Sequence, residues 1–312
     1  MAAETEGNAP MSEPLPALCL IAMPGRRRKT IELCQEAERR GYAGIYVPSP
    51  TGNMSMCEAL SWQTQKMRFA TSIVPIYQRT MIDFCQSAAM MHEISGGRFS
   101  LGIGIAHGPS YVRMGVTPGK PLADTRAFIE KFRAETSFGP LPPIIVAALR
   151  HKMVALAGEL AEGVVFANVC RSAIHHSLAQ LPAAKRNSPD FFIGNMIPTC
   201  ISDDVEAAKE VNRRTLTRYA GLPNYRNYWK EAGYVEEMTA IEKALAEGRP
   251  DDVPKYLTDR WLADNTLFGP AAKVREGVAA WRAAGIHTPI LVPSSAAGNQ
   301  MKAIEEVFAT FG

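Results

Sequence analysis

The feature that most constrains this chain is an alternation of short apolar runs with longer amphipathic segments, sustained from Ala17 to the C-terminus. Runs of four to eight apolar residues read as buried strands, and apolar residues recurring at every third or fourth position between them read as helices. That alternation is the pattern of a parallel α/β fold, because parallel strands need a crossover and a helix is the usual one. Ala17–Met23 is the first strand, and Arg28–Arg40, with Ile31, Cys34 and Ala37 on one face, is the helix after it, closed by Gly41. Further strands are expected at Gly44–Val47, Arg68–Val74, Phe99–Ile103, Ile144–Ala147, Gly163–Phe166, Phe191–Pro198 and Pro289–Val292. Helices are expected at Met54–Thr64, from the capping-box-like Thr80 and Asp83 to Ser95-Gly96-Gly97, and at Pro121–Thr136 and Lys152–Leu160. Others follow near Ser172–Leu181, at Asp203–Tyr219, from Pro270 to Gly285, and through Met301, Ile304 and Val307.

Eight such units, on the roughly 250 residues usual for such a fold plus an insertion, favour a single closed (β/α)8 TIM-type barrel over an open doubly wound sheet. The barrel domain is expected over residues 17–312, with a helical insertion at 221–262 between the seventh and eighth strands. That insertion carries the aromatic-rich Tyr225-Arg226-Asn227-Tyr228-Trp229. Residues 1–16 hold Glu4, Glu6, Glu13 and three prolines but no Lys or Arg, so they lack the basic start and apolar stretch of a secretory signal. They read as a disordered tail.

Composition narrows the partners. With 312 residues, 46% of them hydrophobic, the chain can bury a sizeable core. Lys plus Arg total 34 against 31 Asp plus Glu, and a net charge of +3 makes no electrostatic case for nucleic acid or a membrane surface. A small-molecule substrate is expected; a homodimer is left open. No apolar run approaches the ~20 residues that cross a bilayer. The six cysteines lie scattered without a Cys-x-x-Cys pair, which reads as reduced, buried thiols and fits a cytoplasmic protein.

Motifs of other chemistries fit poorly. Gly102-Ile103-Gly104-Ile105-Ala106-His107-Gly108 follows a strand, but its third glycine falls one position late for a dinucleotide turn. The chain has no Walker loop, no His-Glu-x-x-His and no Gly-x-Ser-x-Gly, and the adjacent His175 and His176 read as a solvated helix end, so no metal is expected. Attention therefore falls on the carboxyl ends of the barrel strands, where such barrels carry their chemistry.

Two stretches there are distinctive. Ala70-Thr71-Ser72-Ile73-Val74-Pro75, followed by Met91-His92-Glu93-Ile94-Ser95-Gly96-Gly97-Arg98-Phe99-Ser100-Leu101-Gly102-Ile103-Gly104, closely resembles the luciferase-like monooxygenase family. So does Pro143–Arg150 with Ala157–Val164, and Phe268–Pro270 through Ala284–Ile286 is a third, weaker match. The similarity runs from about Leu18 to the end in the order a barrel requires.

The resemblance implies a barrel that binds coenzyme F420 or FMN at its carboxyl-terminal mouth, where the reduced ring exchanges hydride with a substrate or reacts with oxygen. The short Leu222–Arg226 segment looks more like the deazaflavin branch, so an F420-dependent oxidoreductase is expected, with an FMN-dependent monooxygenase as the alternative. By the same carry-over, Ser72, Ile73 and Val74 form a bulge with a non-prolyl cis peptide behind the ring, and Gly104 lies at the same strand ends. Ala147, Ala148, Leu149 and Arg150 line the polyol and phosphate, and Asn168 and Arg171 form a second polar cluster near the phosphate. Relatives place an acidic residue and a histidine after the second strand, where this chain has Ser49 and Pro50. That departure keeps open a non-catalytic cofactor-binding protein. It also moves the catalytic expectation to His107, as proton donor or hydrogen-bond anchor, with Ser49 and Tyr111 as competitors.

Overall fold

In the computed structural model, which describes residues 14–49 and 52–312, the strands pair in parallel into one closed ring. They are β1 (Ala17–Cys19), β2 (Ile45–Val47), β3 (Phe69–Thr71), β4 (Val74–Pro75), β5 (Phe99–Gly104), β6 (Ile144–Ala147), β7 (Gly163–Ala167), β8 (Phe192–Ile201), β9 (Leu267–Gly269) and β10 (Thr288–Ser294). The order runs from β10 through β1, β2, β3, β5, β6 and β7 to β8, and β8 pairs back onto β10. With β3 and β4 as two halves of one stave, the barrel has the eight staves expected. β9 is an appendage, paired only with Thr199–Ile201 at the end of β8.

Closure divides the apolar residues into two cores. The larger lies between strands and helices and includes Phe69, Phe84, Phe99, Phe132, Trp229 and Trp281. The smaller fills the barrel, with Ala17, Cys19, Tyr46, Ala70, Ile145, Val165 and Ile290 fully inside, and Tyr46 and Phe192 stacked at 5.1 Å. Ile73, Ala147, Met196 and Val292 are the partly buried members of this inner group. All six cysteines are buried and free.

The amino-terminal face of the barrel is held by two polar staples. Arg98 reaches back from the start of β5 to the carbonyls of Ser61, Thr64 and Met67 and to the Thr64 hydroxyl, at 2.7–3.3 Å. One carboxylate oxygen of Glu38 accepts from the amides of Gln65, Lys66 and Met67. The conspicuous Gly-Gly-Arg-Phe of the sequence is thus a structural clamp on the face away from the chemistry.

The third strand departs from expectation. Rather than running unbroken over Arg68–Val74, it stops at Thr71 and resumes at Val74, with a cis peptide at Ser72–Ile73 between the halves. Ala70 is level with Ser100 and Val74 with Ile103, so three residues span what two span on β5, a β-bulge. The Thr71 hydroxyl fills the gap, donating to the Gly102 carbonyl at 2.7 Å and accepting from its amide at 2.9 Å. The approach is so close that a Cβ on Gly102 would stand 1.8 Å from the Thr71 carbonyl oxygen.

Elsewhere the differences are of boundary and content. Thr80 caps its helix, Met81–Ile94, by accepting from the Asp83 amide. The helix Gly108–Met114, with no buried residue, was not anticipated. The expected helix near Ser172–Leu181 shrinks to Ile174–Leu178. Between β8 and β10 the chain forms helices Val205–Ala220, Pro223–Glu231, Val235–Ala246 and Asp259–Asn265 with a 3-10 turn at Pro250–Tyr256. Helix Ala271–Ala283 then leads into β10. Of the tail expected over residues 1–16, residues 1–13 lie outside the described residues, as does Pro50.

The Thr71–Gly102 contact yields a stability prediction. Thr71→Val leaves the buried Gly102 amide and carbonyl without this partner and should lower unfolding free energy by about 1–3 kcal/mol, whereas Thr71→Ser, which keeps the hydroxyl, should lose much less. Urea unfolding of the two variants checks the contrast.

Candidate active site

The bulge delivers residues 72 and 73 to the carboxyl-terminal mouth and is clamped there from several sides. The Ser72 amide donates to the Val47 carbonyl at 2.7 Å, and the buried Asn53 side chain donates to the Ile73 carbonyl at 3.0 Å. The Ser72 hydroxyl reaches across the barrel to the Met196 sulfur at 2.9 Å. The Ile73 side chain lies over Gly104, where a Cβ would meet Ile73 Cγ1 at 2.9 Å and the Ala147 Cβ at 3.0 Å. Of the residues predicted for the site, Ser72, Ile73, Val74, Gly104 and Ala147 are therefore brought together. Ile73 and Ala147 remain partly exposed, as an apolar floor with Gly104 packed beneath Ile73.

After β6 the chain passes through Ala148 and Leu149 to Arg150 and enters the ten-residue helix His151–Leu160. The Ala148 amide pairs with the Val165 carbonyl. Those of Leu149, Arg150, His151 and Lys152 donate to no group among the described residues. Four unpaired donors at the positive end of a helix form a ready receptor for an anion. The Arg150 side chain is turned to the insertion, where it pairs with Glu231 of helix Pro223–Glu231. Both partners are about half exposed, so this pair contributes only ~0–1 kcal/mol and can be exchanged for another anion.

The cluster expected after β7 is differently employed. Its backbone docks the insertion: the Asn168 carbonyl accepts from Trp229 Nε1 at 3.0 Å, and the Cys170 amide donates to the Tyr228 hydroxyl at 3.1 Å. The Arg171 amide donates to the Asp264 carbonyl and the Ser172 amide to the Asp264 carboxylate, both at 2.9 Å. Anion binding by these three amides is therefore ruled out while the insertion is seated. Asn168, at φ 56, adopts the left-handed conformation that asparagine tolerates. Its side chain faces the hydroxyls of Tyr219 and Tyr225.

His107 stands just past β5, where it precedes helix Gly108–Met114 and takes the Ser110 and Tyr111 amides on its carbonyl. Its half-buried ring makes no hydrogen bond to the described residues and lies 5.8 Å from the ring of Tyr225. Tyr225 in turn meets Tyr219 edge-on at 5.1 Å and Trp229 at 5.5 Å. Burial, and secondarily the Arg218 guanidinium, hold the imidazole pKa below its ordinary value. At neutral pH the ring is uncharged, which suits a hydrogen-bond anchor or proton acceptor better than a donor.

The competitors are placed less well. Tyr111 faces Tyr77 at 5.8 Å, and Tyr77 donates to Asp124, which also accepts from the Gly119 amide at 2.9 Å. Tyr111 thus belongs to the strap that supports the His107 helix, and desolvation chiefly raises its pKa. Ser49 is exposed beyond β2. Sequence reasoning missed Asn53, Met196, Tyr219 and Arg218, none of which stands in a motif. Two surface clefts, one around Gly139–Pro143 and one around Pro14–Pro16, precede β6 and β1 and so lie at the opposite end of the barrel from His107.

Comparison with known proteins follows the same geometry. The chain is 27% identical to a putative coenzyme F420-dependent oxidoreductase of Mycobacterium tuberculosis, over 85% of this chain and 90% of that protein. Its fold matches coenzyme F420-dependent tetrahydromethanopterin reductase from Methanopyrus kandleri with a TM-score of 0.76 at 17% identity, covering 95% and 97% of the two chains. It also matches the oxygenating constituent of 3,6-diketocamphane monooxygenase from Pseudomonas putida, solved with FMN, with a TM-score of 0.61 at 16% identity, covering 94% and 97%. The profile of the luciferase-like monooxygenase family matches residues 18–288, most of the barrel including the bulge and the β6–β7 unit, and the chain belongs to that family.

Proposed function

We propose that this protein is an oxidoreductase that uses coenzyme F420 for hydride transfer at the barrel mouth, to a small organic substrate from the reduced cofactor or from the substrate to the oxidised one. The observation that carries the reading is the apolar floor: the bulge lays the partly exposed Ile73 side chain over Gly104 and beside Ala147, a packing that a Cβ at 104 would push apart. The residues present fit a flat tricyclic ring carrying a phosphate. Ile73 and Ala147 offer an apolar rest for the ring, with Val74 buried behind them, and the amides of residues 149–152 with Arg150 offer donors for the anion. When bound, the cofactor would supply the hydride in its reduced form or take it up in its oxidised form. The chain's own residues orient the ring, and the aromatic insertion covers one side of the mouth.

F420 is favoured because a relative aligned over nine-tenths of its length is described as F420-dependent. FMN is the second reading, supported by the FMN complex among the fold's neighbours. Arg171, with Asn168, stays a candidate phosphate ligand through its side chain. His107 serves as neutral hydrogen-bond partner to the substrate, beside Tyr225.

Fluorescence titration of the full chain with F420 and with FMN should show micromolar binding, tighter for F420; tighter FMN binding would shift the assignment, and binding of neither would remove it. Arg150 gives a paired test. Arg150→Ala should weaken cofactor binding about ten- to a hundredfold if the guanidinium meets the phosphate. Glu231→Gln, which releases Arg150 from its present partner, should tighten binding; equal affinity in both variants would leave the job to the amides.

The pH profile follows from the lowered His107 pKa. Since the neutral ring is the active form, turnover should be flat above about pH 6.5 and fall as the ring protonates on the acid side. Folding stability has the same sign, because below pH 6.5 the unfolded chain takes up this proton more readily than the native one. Turnover of His107→Gln, with its acid limb lost or kept, decides whether this ring is responsible.

A further inference from the structure

Helix Val205–Ala220 carries its cations in two different conditions. Near its start, Lys209 is paired with Glu206 at 2.8 Å and with Asp259 at 2.7 Å, and Arg213 with Glu210 at 3.0 Å and Asp259 at 2.9 Å. Farther on, Arg218 is exposed and has no carboxylate partner among the described residues. The helix end that carries it is held against the mouth by a chain of rings, from Tyr219 to Tyr225 at 5.1 Å and from Tyr225 to His107 at 5.8 Å. Arg218 is thus a guanidinium without a carboxylate partner on the helix end that adjoins the Tyr225–His107 pair, and its charge is felt at the His107 ring.

Three acids of the segments that follow β5 and β8 are otherwise engaged. Glu231 is taken by Arg150, Asp264 by Ser172 and Tyr234, and Asp124 by Tyr77 and Gly119. No counter-charge among the described residues answers Arg218, and a planar guanidinium together with a neutral imidazole N–H is a matched receptor for a carboxylate. The partly exposed Tyr219 ring beside it offers an apolar surface for the rest of the ligand.

Resting on the proposal that the mouth is the reaction site, we infer that the substrate is an organic carboxylate, and that Arg218 selects it by pairing with the carboxylate next to His107. Arg218 is then a specificity-determining residue. A cofactor phosphate is the other anion that this charge could meet, so the test separates the two.

Benzoate and its neutral counterpart benzamide are titrated into the full chain, observed through the His107 ring resonance, which is assigned by its loss in His107→Gln. Benzoate should shift that resonance and raise the ring's pKa, since a bound carboxylate offsets the Arg218 charge. Benzamide should bind roughly tenfold or more weakly. Arg218→Gln should lose benzoate by a comparable factor, and Arg218→Lys should recover part of it, with F420 and FMN affinity unchanged in both. Equal binding of benzoate and benzamide, or no shift at millimolar benzoate, overturns the inference. So does an Arg218→Gln variant that keeps benzoate and loses cofactor, which would give the residue to the phosphate. Cofactor titration of the unaltered chain runs beside these measurements, so failure of the flavin reading appears there and not in the benzoate arm.

Discussion

The paired hydrogen bonds between the Thr71 hydroxyl and the Gly102 backbone hold the position on which the mouth depends. A parallel ladder cannot carry an extra residue without leaving backbone groups unpaired, and buried unpaired groups are costly. Here one side chain substitutes for the interrupted ladder, and a residue without Cβ lets it come close enough. With that substitution made, Ser72 and Ile73 are free to turn into the mouth, where Val47, Asn53 and Met196 take up their polar groups. The floor formed by Ile73, Gly104 and Ala147 follows from this arrangement.

The insertion between β8 and β10 is equally part of the site. Trp229 bonds both to the Asn168 carbonyl and to Asn265, and Asp264 takes the main chain and side chain of Ser172. These bonds fasten two distant stretches of chain and aim Tyr225 at His107. They also consume the amides after β7. The two strand-end loops 147–150 and 168–171 thereby diverge: the first leaves the amides of Leu149 and Arg150 without a partner among the described residues, and the second gives its donors to the protein.

Charge at the mouth is distributed by the same principle. Arginines at the mouth differ less in exposure than in whether an acid of the chain answers them. Arg150 is answered by Glu231 and Arg218 by none among the described residues. An exposed ion pair holds its partners weakly, so the first is exchangeable, whereas the second adds to burial in lowering the pKa of the His107 imidazole.

Local pattern in the sequence determined the alternation of strands and helices, the eight staves, the capped helix after Thr80, the glycine-bearing end of β5 and the alanine-rich end of β6. Periodicity records which faces are buried, and those rules act over a few residues. The family resemblance added the bulge at Ser72–Ile73, which no propensity would have suggested. Tertiary structure alone decided that Arg98 clamps the far face, that Arg150 meets Glu231 across 81 positions, and that Asn168–Ser172 serves as a dock. It also brought His107, Tyr225 and Tyr219 together. Their meeting depends on how an inserted run of helices settles on a closed barrel, and no spacing along the chain encodes a contact made between surfaces that exist only after the barrel has formed.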